Sequence, residues 1–381
     1  MTVTNDDERT RASNGEAKIT QLASGSYRAQ VMIAGRRHSV AGKTKEEVKR
    51  KRRELLHNAD RGILPPTQRL TVAEHVERWL EDVVKHSVRR RTYETYHEKM
   101  RLYILPALGG VKLERLSPAD LQKLYGELLA HGGAGGGPLS PRTVRHVHTY
   151  LHGCLGQALK WGLVPRNVAD LVSPPKAHRA EIKVLDLEQV RRLLAAAAPT
   201  RWAALVALAV GTGLRQGELL GLRWADLDLE GGALHVRRQL GPDGSFSEPK
   251  TAGARRKVGL PRSVVVALRE HRAAQLASRL LAGSEWQDGD MVFCTWQGRP
   301  LGARNVYREY RLLLERAGLP PVSFHALRHT HASLMLSQGI HPKVVQERLG
   351  HSTVALTLDT YSHLIPSMDR DAADQLDALL A

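Results

Sequence analysis

WAALVALAVGTGLRQGELL, residues 202–220, is the stretch on which the reading of this chain turns. Residues 202–210 are apolar on every side, a pattern a helix carries only when it is buried all round. Gly211-Thr212-Gly213 closes that helix and Gly217-Glu218-Leu219-Leu220 opens the next, so Arg215 falls at a turn between two packed helices. A guanidinium held there can grip two oxygens of one phosphate with its planar fork. The same spacing suits a structural pair with Glu218, and this motif alone leaves both readings open.

Outward from that turn, residues 180–381 read as a mixed α+β unit. Asp186 with Gln189 caps a helix carrying Val190, Leu193 and Leu194. Residues 233–237, 246–250 and 256–260 read as a three-stranded antiparallel sheet with turns at 241–244 and 251–254, and 291–295 as a further short strand. The remainder is helical.

Residues 68–173 are helical throughout. Thr71 and Glu74 make a capping box ahead of Val72, Val76, Trp79 and Val83. A second helix over 92–105 is expected to stop before Pro106. Ser117-Pro118 and Ser140-Pro141 start two more. The last buries Val144, Val147, Leu151, Leu155 and Leu159, which leaves Arg142, Arg145, His146 and His152 on other faces; Arg89, Arg90, Arg91 and Arg101 add to that basic surface. The loop at 132–137 resembles a phosphate cradle but lacks the Lys-Ser/Thr of a P-loop, and reads as a connection. Earlier still, residues 18–22, 27–33 and 38–40 read as short strands and 44–58 as a basic helix in which Lys49 to Arg53 run consecutively. Residues 1–17 are polar and aperiodic, and 62–66 and 173–176 read as linkers. At roughly 150 residues per domain, 381 residues hold two or three such units.

Composition narrows the partners. Lys and Arg number 56 against 39 Asp and Glu, giving a formal charge of +17 and a pI near 10.1. A surplus of that size draws polyanions by displacing their condensed counterions, which puts nucleic acid first. A membrane partner is not expected, because the longest apolar run, 202–210, is far short of the roughly 18 residues that spanning needs. Aromatics at 5% are sparse for a reader that stacks unpaired bases, so duplex DNA is favoured. Cys154 and Cys294 alone exclude a disulfide framework and a zinc site built on several thiolates. Asp6, Asp7 and Glu8 stand where an export signal would have a basic flank and an apolar stretch, so a cytoplasmic location is expected.

The second chemical signal is His325-Ala326-Leu327-Arg328-His329-Thr330-His331. His325 and Arg328 lie three apart on a helix, so one can move a proton while the other neutralises an oxyanion. His325 and His329 have the i, i+4 spacing of a zinc pair, but the metalloprotease pattern needs Glu where this chain has Ala326, and no metal is assigned. Leu349-Gly350-His351 and Thr360-Tyr361-Ser362-His363 follow downstream.

With Gly211-Thr212-Gly213-Leu214-Arg215, Lys250 on a hairpin, His325 to Arg328, Leu349-Gly350-His351 and Thr360-Tyr361 in that order, the chain resembles the tyrosine recombinases, the integrase family of phages and mobile elements. The resemblance covers nearly the whole chain. It implies a multidomain fold, mainly α with small antiparallel sheets. Residues 18–62 would be a small α/β domain binding arm-type sites and 68–173, which include Tyr103-Ile104-Leu105-Pro106, an all-helical core-binding domain; 180–381 would be the catalytic domain with a C-terminal helix. The two linked larger domains would clamp the core site.

The implied chemistry is a metal-free, cofactor-free cleavage through a 3′-phosphotyrosyl link. Tyr361 would be the nucleophile, Arg215 and Arg328 would hold the non-bridging oxygens, His351 would donate a further hydrogen bond, Lys250 would protonate the leaving 5′-oxygen and His325 would act as acid or base. Arg255, Arg256 and Lys257 rival Lys250 as cations of that hairpin and could serve as phosphate clamps; the Pro249-Lys250-Thr251 turn favours Lys250. His329, His331 and His363 read as structural, and Tyr307 and Tyr310 as packing or DNA contacts. The implied partners are duplex DNA at core and arm-type attachment sites, a homotetramer working through a Holliday junction, an excision factor and a host DNA-bending protein. The apolar positions Leu376, Leu379 and Leu380 suit a final helix that packs on a neighbouring subunit or on its own domain. A type IB topoisomerase uses similar groups without an arm-binding domain, and a non-catalytic DNA-binding regulator would keep the fold without needing Tyr361.

Overall fold

β1 (Thr20–Gln21), β2 (Tyr27–Ile33) and β3 (Arg36–Gly42) form an antiparallel sheet in that order, with Val31 opposite His38. β2 turns Ala29 and Ile33 inward and α1 (Lys45–Asp60) buries Val48, so this small layer has its own apolar contact. The computed structural model describes residues 19–33, 36–60, 70–177, 183–248, 255–361, 374, 376–378 and 380. The chain divides into two compact units, residues 1–179 and 180–381. The expected tail at 1–17, the linker at 62–66, Lys250 and the turn at 251–254 lie outside the described residues.

The other described residues of the first unit, 70–177, are mainly helical. α2 (Val72–Trp79) starts at the Thr71–Glu74 capping box and runs through a π-turn at Leu80–Val84 into α3 (Lys85–Ser87). α4 (Arg90–Lys99) passes through a second π-turn, Met100–Ile104, into α5 (Leu105–Leu108). This corrects the expected stop before Pro106. The π-turn widens the helix where the proline ring would otherwise strike the carbonyl one turn back, so the chain stays helical to Leu108. α6 (Pro118–His131) and α7 (Pro141–Lys160) begin at Ser117 and Ser140, each followed by proline at the first helical position. Trp79, Met100, Ile104, Tyr125 and Leu151 pack the centre of this bundle. Arg142, Arg145, His146 and His152 lie exposed on α7.

The second unit is built around α9 (Ala203–Thr212), whose Ala204, Leu205, Val206, Leu208 and Ala209 are all buried. Packed on it are α8 (Leu187–Ala197), α10 (Gln216–Leu220), α11 (Arg262–Ala282) and α13 (Ala326–Ser337). α12 (Ala303–Arg316) lies against α8 and α10. α14 (Pro342–Leu349) packs on α13 through a smaller core of Ala332, Leu336, Val345 and Leu349, and α15 (Val354–Tyr361) lies against α14. Residues 374, 376–378 and 380 are helical, with Leu376 and Leu380 exposed; the other residues of the expected final helix lie outside the described set.

Two expectations for the strands are corrected. The sheet is β4 (Leu227–Asp228), β5 (Ala233–Val236) and β8 (Arg256–Gly259), with Leu234 opposite Val258, while β6 (Gln239–Leu240) and β7 (Phe246–Ser247) form a separate hairpin. Asp226 explains the break. Its buried carboxylate takes Arg238 and stands 3.8 Å from Arg237, which ends β5 before the hairpin begins. The stretch 291–295 makes only isolated bridges, Met291 with Arg223 and Cys294 with Pro300. Beside backbone bonds such as Val292 N–H to Leu222 O, Gln275 donates to the Met291 and Val292 carbonyls, at 3.0 and 3.1 Å.

Among the described residues no helix is long and apolar enough to cross a membrane.

Candidate active site

The last carbonyls of an α-helix have no partner within the helix and carry its negative end, so cations collect there. α9 ends in this way, and the side chains that clasp it come from the two distant motifs. Arg328 donates from Nη1 to Gly213 O at 2.8 Å and from Nη2 to Leu349 O at 2.7 Å, which ties the end of α9 to the end of α14. Arg348 donates from Nη2 to Gly211 O and Gly259 O, both at 2.8 Å. His331 holds Val210 O at 2.8 Å.

These contacts fix the protonation of His331. A carbonyl only accepts, so its Nδ1 carries the proton, and the Arg348 Nε–H, 3.0 Å from His331 Nε2, only donates. The ring is therefore neutral. Burial and the Arg348 charge push its pKa down to about 4. The expectation that His331 is structural agrees with this position.

Arg215 stands at the N-cap of α10, where its backbone N–H and its Nη1 both reach the Glu218 carboxylate, at 3.0 and 2.8 Å. Of the two readings of the opening motif, the structure shows the pair with Glu218, and the Arg215 side chain remains 39% exposed, turned partly to solvent. Glu218 is almost fully buried. Burial raises its carboxyl pKa, and Arg256 and Arg215 outweigh that and hold it ionised.

His351 follows Gly350, the left-handed C-cap of α14, and its Nδ1 lies 2.9 Å from the buried Thr357 hydroxyl of α15. Burial, then Arg328 and Arg215, push the His351 pKa down to about 4. His325 is the N-cap residue of α13, rather than lying within the helix, and its ring meets His329 edge-on at 5.0 Å. Burial, Arg328 and Arg215 lower its pKa as well. Tyr361 closes α15, one turn beyond Thr357. Lys250 lies outside the described residues. Tyr310 is buried in the core, as a packing residue would be, and Tyr307 is exposed.

The structure therefore brings Arg215, His325, Arg328 and His351 into one electrostatic neighbourhood, at the ends of α9, α13 and α14. Among the described residues guanidiniums outnumber carboxylates there, with Glu218 shared by Arg215 and Arg256, and imidazoles of lowered pKa stand among them. Such a site favours an anion, and an arriving phosphate would raise the imidazole pKa values towards the range of proton transfer. Among the described residues no group of three or more His, Cys, Asp or Glu could hold a metal ion.

Sequence reasoning passed over two residues. Arg256 reads only as a rival cation in the sequence, yet it shares a face of β8 with buried Val258, two residues on, and alternates with exposed Lys257, the pattern of an inward-facing position. Arg348 carried only the ordinary signal of a base in the last turn of a helix, and it caps a different helix from its own.

The model described as the phage integrase family matches residues 183–367, and that of the phage integrase N-terminal SAM-like domain matches 71–129. A tyrosine recombinase XerC-like protein of Caldanaerobacter subterraneus subsp. tengcongensis is 32% identical over 360 residues, covering 89% of this chain and 90% of its own length. An integrase of Streptomyces ambofaciens is 30% identical over 352 residues, covering 89% and 88%. Among solved structures, the Tn1549 transposon integrase in complex with a circular intermediate DNA matches with a TM-score of 0.66 at 20% identity, over 81% of this chain and 99% of that one. A lambda integrase dimer bound to a COC′ core site matches with a TM-score of 0.58 at 18% identity, over 93% and 96%. The last two likenesses concern the fold. The chain belongs to the phage integrase family of tyrosine recombinases.

Proposed function

We propose that this chain is the integrase of a prophage or integrative element, and that Arg215, Lys250, His325, Arg328, His351 and Tyr361 carry its reaction. The observation that supports this most directly is the convergence of Arg215, Arg328 and His351 at the joined ends of α9 and α14, with Tyr361 closing the next helix.

In this reading the Tyr361 oxygen attacks the scissile phosphorus. The bond from phosphorus to the 5′-oxygen breaks, its electron pair leaves on that oxygen, and Lys250 supplies the proton. One phosphodiester replaces another, so a 5′-hydroxyl can reverse the step without ATP. A free tyrosine has a pKa of about 10, so the arginines have to stabilise the charge that builds on the non-bridging oxygens. His351 adds a hydrogen bond and His325 serves as acid or base.

Duplex DNA is the substrate, as the charge of +17 favours, and the complexes of the Tn1549 and lambda integrases with DNA are in keeping with it. Residues 18–62 are read as the arm-type-site domain, 68–173 as the core-binding domain and 180–381 as the catalytic domain. Four protomers would exchange strands through a Holliday junction, with the exposed Leu376 and Leu380 packing on a neighbour, in the cytoplasm and with an excision factor and a host bending protein setting direction.

The test is supercoiled plasmid carrying the DNA that flanks the gene, incubated in EDTA with wild-type protein or Tyr361→Phe, then denatured and probed for protein on a 3′-end. An adduct that requires the tyrosine is expected, with binding unchanged in the variant. Tight binding without an adduct, on plasmid and on nicked substrates, would leave a DNA-binding regulator as the function.

A further inference from the structure

β8 begins with three basic residues in succession, and they do not share one environment. Arg255 is exposed and pairs with Glu248, Lys257 is exposed, and between them the Arg256 side chain is only 7% accessible. Its guanidinium reaches two other elements. Nη2 and Nη1 lie 3.0 and 3.3 Å from the two Glu218 oxygens on α10, and Nε donates to Arg348 O, at the end of α14, at 2.6 Å. Glu218 is the carboxylate that holds Arg215. Arg348 O lies three residues before His351. A Cβ added at Gly350 would stand 2.9 Å from Arg256 Nη1, so the turn into His351 is seated directly on this side chain.

We propose that Arg256 is a positioning residue of the cleavage reaction. Through Glu218 it sets the Arg215 fork, and through the α14 terminus it sets His351, so that one planar group fixes the distance between the two. This rests on the functional reading above. The geometry demands arginine: a guanidinium can hold a carboxylate with two nitrogens while its third binds a carbonyl, whereas a lysine ammonium is a point donor on a flexible stem. A cation that clamped DNA would instead be turned to solvent, as Arg255 and Lys257 are.

The experiment compares wild type with Arg256→Lys, Arg256→Met and Lys257→Gln on a nicked trapping substrate, measuring DNA affinity and the single-turnover rate of adduct formation at saturating DNA. Arg256→Met is expected to slow the saturated rate about a hundredfold and Arg256→Lys about tenfold, with affinity within about threefold of wild type. Lys257→Gln is expected to weaken affinity and leave the saturated rate alone. Glu218→Gln combined with Arg256→Met should cost less than the sum of the two single variants, because both remove the Glu218–Arg256 link. If Arg256→Met fails to fold, Arg256→Lys against Lys257→Gln carries the comparison. Arg256 variants that lose affinity while keeping the saturated rate would show a DNA clamp and overturn the proposal, as would a rate within threefold of wild type. If wild-type protein makes no adduct, the functional reading itself falls, and this proposal with it.

Discussion

Gly213 has φ +64°, and a Cβ there would stand 2.7 Å from His331 Cδ2 and from Leu349 Cδ2. Strain and overpacking act together at this position, so Gly213→Ala is expected to destabilise the catalytic unit by about 2–4 kcal/mol. A urea midpoint unchanged from wild type would contradict the packing described. His331 gives a second residue-level prediction. Its folded pKa of about 4 lies below the unfolded value of 6.5, so between them the unfolded chain binds a proton that the folded one does not. Its contribution to stability is therefore complete above pH 6.5 and is lost as pH falls towards 4, on the order of 3 kcal/mol in all. Urea midpoints measured from pH 7 down to 5 should decline steadily, and a flat profile would show that the ring is not held neutral. In sequence His331 was one histidine among several in the motif. Its neutrality comes from a carbonyl and a guanidinium brought to it from elsewhere in the chain.

At the scale of the element, the parts that read correctly were those set by local chemistry. Thr71, Ser117, Ser140 and Asp186 each cap the helix they precede, because a side-chain oxygen two or three residues before an orphan N–H needs no tertiary help to reach it. Thr71→Ala should cost about 1 kcal/mol, read as a lower thermal midpoint, with Thr71→Ser close to neutral. The elements that read wrongly were decided from outside. Pro106 ends a helix by rule, and here a π-turn ahead of it gives the ring room. Residues 246–250 had strand composition, but strand order in a sheet depends on what each edge meets. Asp226, eight residues before Leu234, draws Arg238 and Arg237 out of line and leaves β5 to pair directly with β8.

For the whole molecule, charge was legible at once. With +17 to distribute, binding to duplex DNA should fall about a thousandfold between 50 and 200 mM salt, as expected if several phosphates are neutralised. A salt-independent affinity, measured by titration on an attachment-site duplex, would remove electrostatics as the main source of binding. The sequence by itself determined the order of the motifs, the helix caps, the buried character of α9 and the basic balance, because each depends on residue type and on spacing within a few turns of chain. Only the tertiary structure decided that Arg328 and Arg348 clasp the end of α9, that Glu218 serves two arginines and that Arg256 spans from α10 to α14. Apart from the local Arg215–Glu218 pair, those contacts join residues 38 to 137 positions apart, and a buried charge finds its partner through packing, which no local periodicity encodes.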